Sequence, residues 1–115
     1  MEGLSRASVY LARLDPVKGA EVGKLRPVVI LTDQEILDVE PPVVFVCPLS
    51  SQSMQQFEAL HLELAPRDGL RVTSYTLVEH CRSLSRKRIL GERIAQLSSD
   101  EVEAVIHRLL RLIGK

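Results

Sequence analysis

Five short apolar runs, separated by turn-forming residues, follow one another along the chain as far as residue 78. They fall at residues 8–14, 27–31, 43–49, 60–64 and 72–78. Each run has the length of a strand, and most are rich in the β-branched or aromatic residues that favour strands. The fourth run alternates apolar and polar residues, which predicts that His61 and Glu63 share a solvent-exposed face. Together the runs predict a small, curled antiparallel sheet.

The connections between the runs carry their own signals. Residues 32–42 are polar and acidic and predict a connection with one helical turn. Residues 50–56 have the composition of a loop, and residues 66–69 predict a turn. Pro48 lies inside the most apolar run, where it predicts either a bulge or the end of the strand.

The last part of the chain follows a helical pattern. Ser98 and Glu101 have capping-box spacing, in which the serine accepts from a backbone amide and the glutamate reaches back. The apolar residues that follow recur at steps of three and four and form one stripe. The stripe consists of Val102, Val105, Ile106, Leu109, Leu110 and Ile113. Because a helix of about 15 residues is marginal alone, this helix, ended by Gly114, is predicted to dock on the sheet.

The composition is that of one globular domain. The chain has 115 residues, 45% apolar and 26% charged, which leaves little room for a second core. We therefore treat residues 1–115 as a single domain. The formal net charge is zero, so an anionic partner must be held by a local basic patch rather than by the field of the whole molecule.

The sequence shows no sign of export, membrane insertion or metal binding. Cys47 and Cys81 are too few for a disulfide framework and lack the spacing of metal ligands. Neither a charged-then-apolar leader nor an apolar run of the roughly 18–20 residues that span a bilayer is found. We expect a soluble cytoplasmic protein that does not associate with membranes.

An arginine, Arg26, stands at the start of the second run, directly before Pro27. Such an arginine is commonly a solvated edge residue or the partner of a nearby carboxylate. Pro27 biases Arg26 toward an extended backbone, however, so the direction of its side chain is set. The guanidinium is permanently charged, and its rigid fork suits a phosphate. The loop before it, with Gly19, Gly23 and Lys24, is predicted to act as a flap over a substrate.

Two serines, Ser50 and Ser51, follow the most apolar run. A serine there most often closes a turn by bonding its own backbone. A hydroxyl at the end of a central strand is also placed to hydrogen-bond a ligand. The surrounding sequence lacks the G-x-S-x-G pattern, so a serine that performs acyl transfer is not indicated.

The densest charged feature of the sequence contains five basic residues opposed by one glutamate, Glu92. Its basic members are Arg82, Arg86, Lys87, Arg88 and Arg93. Such a cluster is either a solvated positive face or a surface that binds the phosphate backbone of a nucleic acid. The sequence alone leaves both interpretations open.

The histidines give weaker signals. His107 is predicted on the polar side of the C-terminal helix, whereas His80, next to Glu79 and near the basic cluster, is placed to contact a ligand. No pair of histidines has metal-ligand spacing, so no metal site is predicted. The sequence leaves open a Cys47/His80 nucleophile pair, although cysteines in buried strands are usually inert.

These segments, in this order, resemble the MazF/PemK family of toxin endoribonucleases from toxin–antitoxin modules. The stretch VYLARLDPVKGAEVGKLRPVVIL is similar to the opening strand of the family, its DP-x-x-G-x-E loop and its RP strand. VFVCPLSS resembles the third strand with its terminal Ser or Thr, and residues 74–114 resemble the closing strands and helix. The sequence departs from the family at Arg6-Ala7-Ser8, where members commonly have R-G-D/E, and at His80, where Gln is frequent.

The resemblance implies a mainly β fold, an SH3-like antiparallel β-barrel with a C-terminal α-helix, of the MazF/PemK/CcdB type. It also implies metal-independent, cofactor-free cleavage of single-stranded RNA at short sequence motifs, leaving a 2′,3′-cyclic phosphate and a 5′-hydroxyl. The catalytic arginine of the family falls on Arg26, and its Ser/Thr falls on Ser50, with Ser51 as the alternative register. Contacts with RNA are then expected from Lys24, Ser51, Glu79, His80, Arg82 and Arg86.

The resemblance further implies two kinds of protein partner. One is a second copy of the chain, in a homodimer whose interface groove binds the RNA, and the other is an acidic, partly disordered, MazE-like antitoxin. Two other functions remain open: a CcdB-like gyrase poison and a catalytically silent module that binds RNA or protein. Against the gyrase poison, the chain ends in Leu112-Ile113-Gly114-Lys115, without the tryptophan-containing motif of those proteins.

Overall fold

The structure, a computed structural model, describes residues 3–15, 19, 24–53 and 55–115. Its strands are β1 (Ser8–Arg13), β2 (Leu25–Ile30), β3 (Val43–Ser50), β4 (Glu63–Leu64), β5 (Ser74–Thr76), β6 (Arg82–Ser85) and β7 (Ile89–Gln96). Its helices are α1 (Gln34–Leu37) and α2 (Ser99–Leu112), with 3₁₀ turns at Gln55–Leu60, Val78–His80 and Arg86–Arg88.

Among the described residues, the strands form one curled, antiparallel sheet. Its order is β4-β5-β3-β2-β1-β7, and β6 pairs with β3 outside this path. β3 is therefore the central strand, because it pairs with β2 along one edge and with β6 and then β5 along the other. The mainly β architecture predicted from the sequence, closed by a C-terminal helix, is confirmed.

The outer edges of the sheet meet at the connection between β4 and β5. Gly69 N donates to Ile94 O of β7 at 2.7 Å. A Cβ atom at position 69 would lie 2.8 Å from this oxygen, closer than van der Waals contact allows, so the approach requires glycine. In the same connection, the Arg67 guanidinium donates to the carbonyls of Ala65 and Gln96. These contacts curl the sheet toward a barrel.

Two hydrophobic cores lie on opposite faces of the sheet. Alternate residues of each strand serve the two cores, so Cys47 of β3 faces α2 while its neighbour Val46 faces away from it. The first core includes Val9, Val29, Leu49, Leu64, Val78, Val102 and Val105. The second includes Tyr10, Leu14, Val28, Ile30, Leu37, Val44 and Leu84.

The C-terminal helix begins as the sequence predicts. Ser98 Oγ accepts from Glu101 N, and the Glu101 carboxylate accepts from Ser98 N, which completes the capping box. The first part of the predicted stripe packs on the sheet, where Val102 is buried. Leu110 and Ile113 were predicted to dock as well, and this is wrong: both are exposed, because the part of the core that α2 contributes ends at Leu109.

Two predictions about the middle of the chain are wrong. The alternation at 60–64 predicts a five-residue strand with His61 exposed, but β4 contains only Glu63–Leu64 and His61 is buried. The reason is that the His61 ring is hydrogen-bonded to polar side chains from other parts of the chain, which the alternation of residues around His61 cannot indicate. The strand predicted at 72–78 shortens to Ser74–Thr76.

Pro48 neither bulges nor ends its strand. It lies within β3 opposite Val28 of β2, and β3 continues to Ser50. On its other edge, Pro48 marks the change of partner from β6 to β5, and its carbonyl accepts from Leu77 N at 2.8 Å. A residue without an N–H is tolerated at this junction because the ladder is interrupted there by the Val78–His80 turn.

The ion pair between Arg67 and Glu101 gives the fold an acid-sensitive contact. Arg67 Nη2 lies 2.8 Å from Glu101 Oε2, and the two side chains are 22% and 25% exposed. The hydrogen bond from Arg67 lowers the pKa of the Glu101 carboxyl, and the same bond raises the pKa of Arg67. A carboxyl with a lowered folded-state pKa stabilises the fold above its unfolded pKa, and this contribution is lost as the pH falls through the folded value.

We expect Glu101→Gln to lower the free energy of unfolding at pH 7 by about 1 kcal/mol, because it weakens both the ion pair and the helix cap. The deficit relative to the wild type should shrink as the pH falls below about 4.3, the ordinary pKa of a glutamate. Urea unfolding across this pH range measures both effects. Glu103→Gln, an equal charge change at an exposed position of α2, is the control, and equal acid sensitivity of the two variants would contradict the assignment.

Candidate functional site

Arg26 and Ser50 lie side by side where β2 begins and β3 ends. The register pairs Val28 with Pro48, and continuing it by two residues places Arg26 opposite Ser50. Because side chains alternate along a strand, both point to the same face of the sheet. On its other side Arg26 pairs with Ala12 of β1, whose small, buried side chain leaves room for the arginine.

A pocket of about 270 Å³ opens at this position. It is lined by Lys24, Leu25, Arg26, Pro27, Leu49, Ser50, Ser51, Leu70, Val72 and Ser74. Two apolar side chains at its rim, Leu25 and Val72, are 53% and 57% exposed. The pocket therefore joins a cation and hydroxyl groups to an apolar rim, which suits a phosphate that carries an adjoining organic group.

Lys24 stands at the entrance of the pocket in a left-handed backbone conformation, with φ of 66°. Its N–H donates to Asp15 Oδ1 at 2.8 Å, and its carbonyl accepts from Leu14 N at 2.8 Å. These two bonds fix the point at which the preceding loop enters β2. Of the predicted flap, Gly19 and Lys24 are described, and Gly23 lies outside the described residues.

The Ser50 hydroxyl serves the turn that follows β3 and remains suited to a ligand. Its Oγ accepts from Gln52 N at 3.1 Å, so the turn role expected of a serine here is present. As the acceptor in this bond, the hydroxyl keeps its own hydrogen for donation. Ser51, the first residue after β3, also lines the pocket and is more exposed than Ser50.

The other residues predicted to contact RNA do not line this pocket. Arg82 pairs with Val46 in the middle of β3. Arg86 lies at the other end of β3, roughly 25 Å from Ser50 by strand length, and its guanidinium is 3.8 Å from Glu40. His80 is half-buried in the 3₁₀ turn beside β3. The structure thus groups Lys24, Arg26, Ser50 and Ser51 in one pocket, and its lining does not include Glu79, His80, Arg82 or Arg86.

Glu79 belongs to a polar network that the sequence did not reveal. His61 Nε2 lies 2.8 Å from Glu79 Oε2, and His61 Nδ1 lies 2.8 Å from Ser53 Oγ. The side chains of His61 and Glu79 are only 1% and 14% exposed. The three residues are separated by 8 and 18 positions along the chain, so no short motif could have identified them. The network joins the loop after β3 to the Val78–His80 turn.

We expect His61→Ala to lower the free energy of unfolding by about 3 kcal/mol, because it leaves the Glu79 carboxylate without its buried partner. The exposed His107 of α2 provides the matched control, and His107→Ala should change stability by less than about 0.5 kcal/mol. Urea unfolding at pH 7 measures both variants. Similar small losses in the two would mean that the network contributes little.

Within the described part of the chain, no three His, Cys, Asp or Glu side chains are grouped so that they could hold a metal ion. The pocket at Arg26 offers hydrogen-bond donors instead. None of the helices in this part of the chain has the length and apolar character needed to cross a membrane.

These features define a small, curled β-sheet protein with a C-terminal helix and a pocket at the end of the sheet that holds Arg26 and Ser50. The chain belongs to the family of PemK-like, MazF-like toxins of type II toxin–antitoxin systems, whose sequence model matches residues 5–113. The resemblance seen in the sequence is thereby confirmed.

Comparison with individual proteins agrees with this assignment. Endoribonuclease EndoA of Bacillus subtilis (strain 168) is 30% identical over 103 residues, covering 89% of this chain and 87% of that protein. A crystal structure of MazF from Deinococcus radiodurans superposes with a TM-score of 0.83 at 23% identity over the whole of both chains. A crystal structure of MazE-MazF from the same organism superposes with a TM-score of 0.75 at 20% identity, covering 99% of this chain and 98% of that chain. These structures share the fold of this chain.

Proposed function

We propose that the chain is a sequence-specific endoribonuclease toxin that cuts single-stranded RNA, including messenger RNA, and so inhibits growth. The observation that carries the proposal is the placement of Arg26 opposite Ser50 in one pocket. Membership of the toxin family supports it, as does the similarity to a relative named as an endoribonuclease.

In the proposed reaction the 2′-hydroxyl of the RNA gives up its proton to solvent and attacks the neighbouring phosphorus. The bond from phosphorus to the 5′-oxygen breaks, and the 5′-oxygen takes up a proton. The products are a 2′,3′-cyclic phosphate and a 5′-hydroxyl. Negative charge grows on the phosphoryl oxygens in the transition state, so fixed donors aimed at them lower the barrier. Arg26 supplies such donors as a permanently charged fork, and for the same reason it is unsuited to act as a base.

Ser50 is proposed to donate its hydroxyl hydrogen to the same phosphate or to align the 2′-hydroxyl. Its position opposite Arg26 supports a role for the two groups on either side of one bound phosphate. Because the nucleophile is the 2′-hydroxyl itself, the reaction is confined to RNA. The charge compensation in this mechanism comes from Arg26, so we propose that cleavage needs no metal ion.

The proposed partners follow from the same pocket. A single strand of RNA would extend from the pocket across a groove between two copies of the chain. Lys24 would contact it at the entrance of the pocket, and Arg82 or Arg86 would contact its phosphate backbone further along. An antitoxin of the MazE type would compete by placing an acidic, partly disordered segment over the basic residues. A structure that pairs MazE with MazF in Deinococcus radiodurans supports this kind of partner.

We expect Arg26→Ala to lower the rate of RNA cleavage by at least about 100-fold, because it removes the charged donors from the transition state. The measurement is cleavage of a long single-stranded transcript in EDTA, with the ends mapped by primer extension and the fold checked by circular dichroism. Arg111→Ala removes the same charge from an exposed position of α2 outside the pocket and should leave the rate unchanged.

Full cleavage by the Arg26→Ala variant would show that Arg26 has no role in the reaction. Loss of wild-type cleavage in EDTA would overturn the metal-independent mechanism. Binding of the transcript by the wild-type chain without any cleavage would favour the silent binding module instead.

A second pair of variants distinguishes the two serines. We expect Ser50→Ala to lower the rate by roughly 10- to 100-fold and Ser51→Ala to have little effect, because only Ser50 stands opposite Arg26. Ser50→Thr keeps a hydroxyl and should retain most of the activity. Single-turnover rates on the same transcript measure all three variants, and a larger loss in Ser51→Ala than in Ser50→Ala would move the catalytic hydroxyl to position 51.

A further inference from the structure

The two cysteines of the chain occupy facing positions on neighbouring strands. β3 pairs with β6 through Val46 and Arg82, and the next step of this register places Cys47 opposite Cys81. Pro42 and Arg86 form a hydrogen-bonded pair in this register, because Arg86 N donates to Pro42 O. From this pair onward, non-hydrogen-bonded and hydrogen-bonded pairs alternate along the two strands. Cys47 and Cys81 fall at a non-hydrogen-bonded pair, where the Cα atoms are about 4.5 Å apart. This spacing lies inside the range that disulfides occupy.

The surroundings of the two thiols differ. Cys47 is fully buried in the core beneath α2, whereas Cys81 packs against that core and is partly exposed. Both are free thiols. The hydrogen bond with the Cys81 thiol, followed by burial, raises the pKa of the Cys47 thiol well above its usual range. Both side chains belong to the same core, and Cys81 is the one that solvent reaches.

We propose that Cys47 and Cys81 form a reversible dithiol site, which a small disulfide such as oxidised glutathione converts into a disulfide within the chain. The proposed RNA cleavage uses neither residue, and both lie outside the pocket at Arg26. The inference therefore stands independently of the proposed function.

The exchange proceeds in two balanced steps. The Cys81 thiolate attacks one sulfur of the small disulfide, breaks its S–S bond and releases one thiolate, which leaves a mixed disulfide on Cys81. The Cys47 thiolate then attacks the Cys81 sulfur and releases the second small thiolate. Two protein thiols are oxidised, one small disulfide is reduced, and the two protons leave with the small thiols.

The crosslink would restrain a junction that the backbone leaves open. Along the outer edge of β3, the Val78–His80 turn projects between β5 and β6, and Cys81 is the first residue after it. A bond from Cys81 to Cys47 ties the base of this turn to the central strand and closes a long loop of chain. The expected result is a rise in melting temperature on the order of 10 °C, reversed by reductant.

The test treats the native chain with oxidised glutathione and follows its intact mass. We expect loss of two hydrogen atoms, loss of both free thiols on denaturation, and one crosslinked peptide that joins Cys47 to Cys81. Cys81→Ser should stay unmodified under native conditions, because its remaining thiol is buried. Cys47→Ala should stop at a mixed disulfide with one glutathione on Cys81.

Other outcomes for the wild-type chain overturn the proposal. They are a chain that stays fully reduced, one that stops at the mixed disulfide, one that crosslinks only between copies, and one that forms the disulfide only after denaturation. The peptide map of the wild type is decisive even if Cys47→Ala fails to fold. An oxidised chain that melts no higher than the reduced one would contradict the proposed restraint.

Discussion

The pairing of β3 on both of its edges is the constraint on which the rest of the structure depends. One edge carries β2, and the other carries β6 and then β5. A strand held from both sides has its register fixed twice, and a slip of one residue would turn every side chain to the wrong face. The same register decides which residues enter each core, sets Ser50 beside Arg26 and sets Cys47 beside Cys81.

The pairing of β3 makes the backbone around the pocket rigid, and two polar side chains of the pocket, Arg26 and Ser50, come from the start of β2 and the end of β3. Arg26 is paired with Ala12 of β1, so its backbone position is fixed before a phosphate approaches. The apolar rim formed by Leu25 and Val72 would exclude water around a bound phosphate. Interactions of the guanidinium with developing charge are stronger when water is excluded, because the local dielectric constant is lower.

The sequence predicts those features whose causes are local. β1 to β3 and the α2 cap follow from short patterns, whereas the burial of His61 depends on Glu79, which lies 18 positions away. Val72, from the connection between β4 and β5, lines the pocket, and the same connection is bonded to β7 through Gly69 and Ile94. The cross-strand position of Ser50 likewise needs the register of β3, and no spacing along the chain specifies it.

The basic cluster shows most clearly how a charged run in sequence differs from a charged surface. Arg86 lies beside Glu40, the Arg88 guanidinium donates to two carbonyls near the end of β1, and Arg93 donates to Gln96. Each of these arginines would have to give up its present contact in order to bind a phosphate. The binding free energy that each would contribute is therefore smaller than its charge suggests. In a chain of zero net charge, the proposed attraction for RNA would then depend chiefly on Arg26, at the start of β2, and Lys24, directly before it.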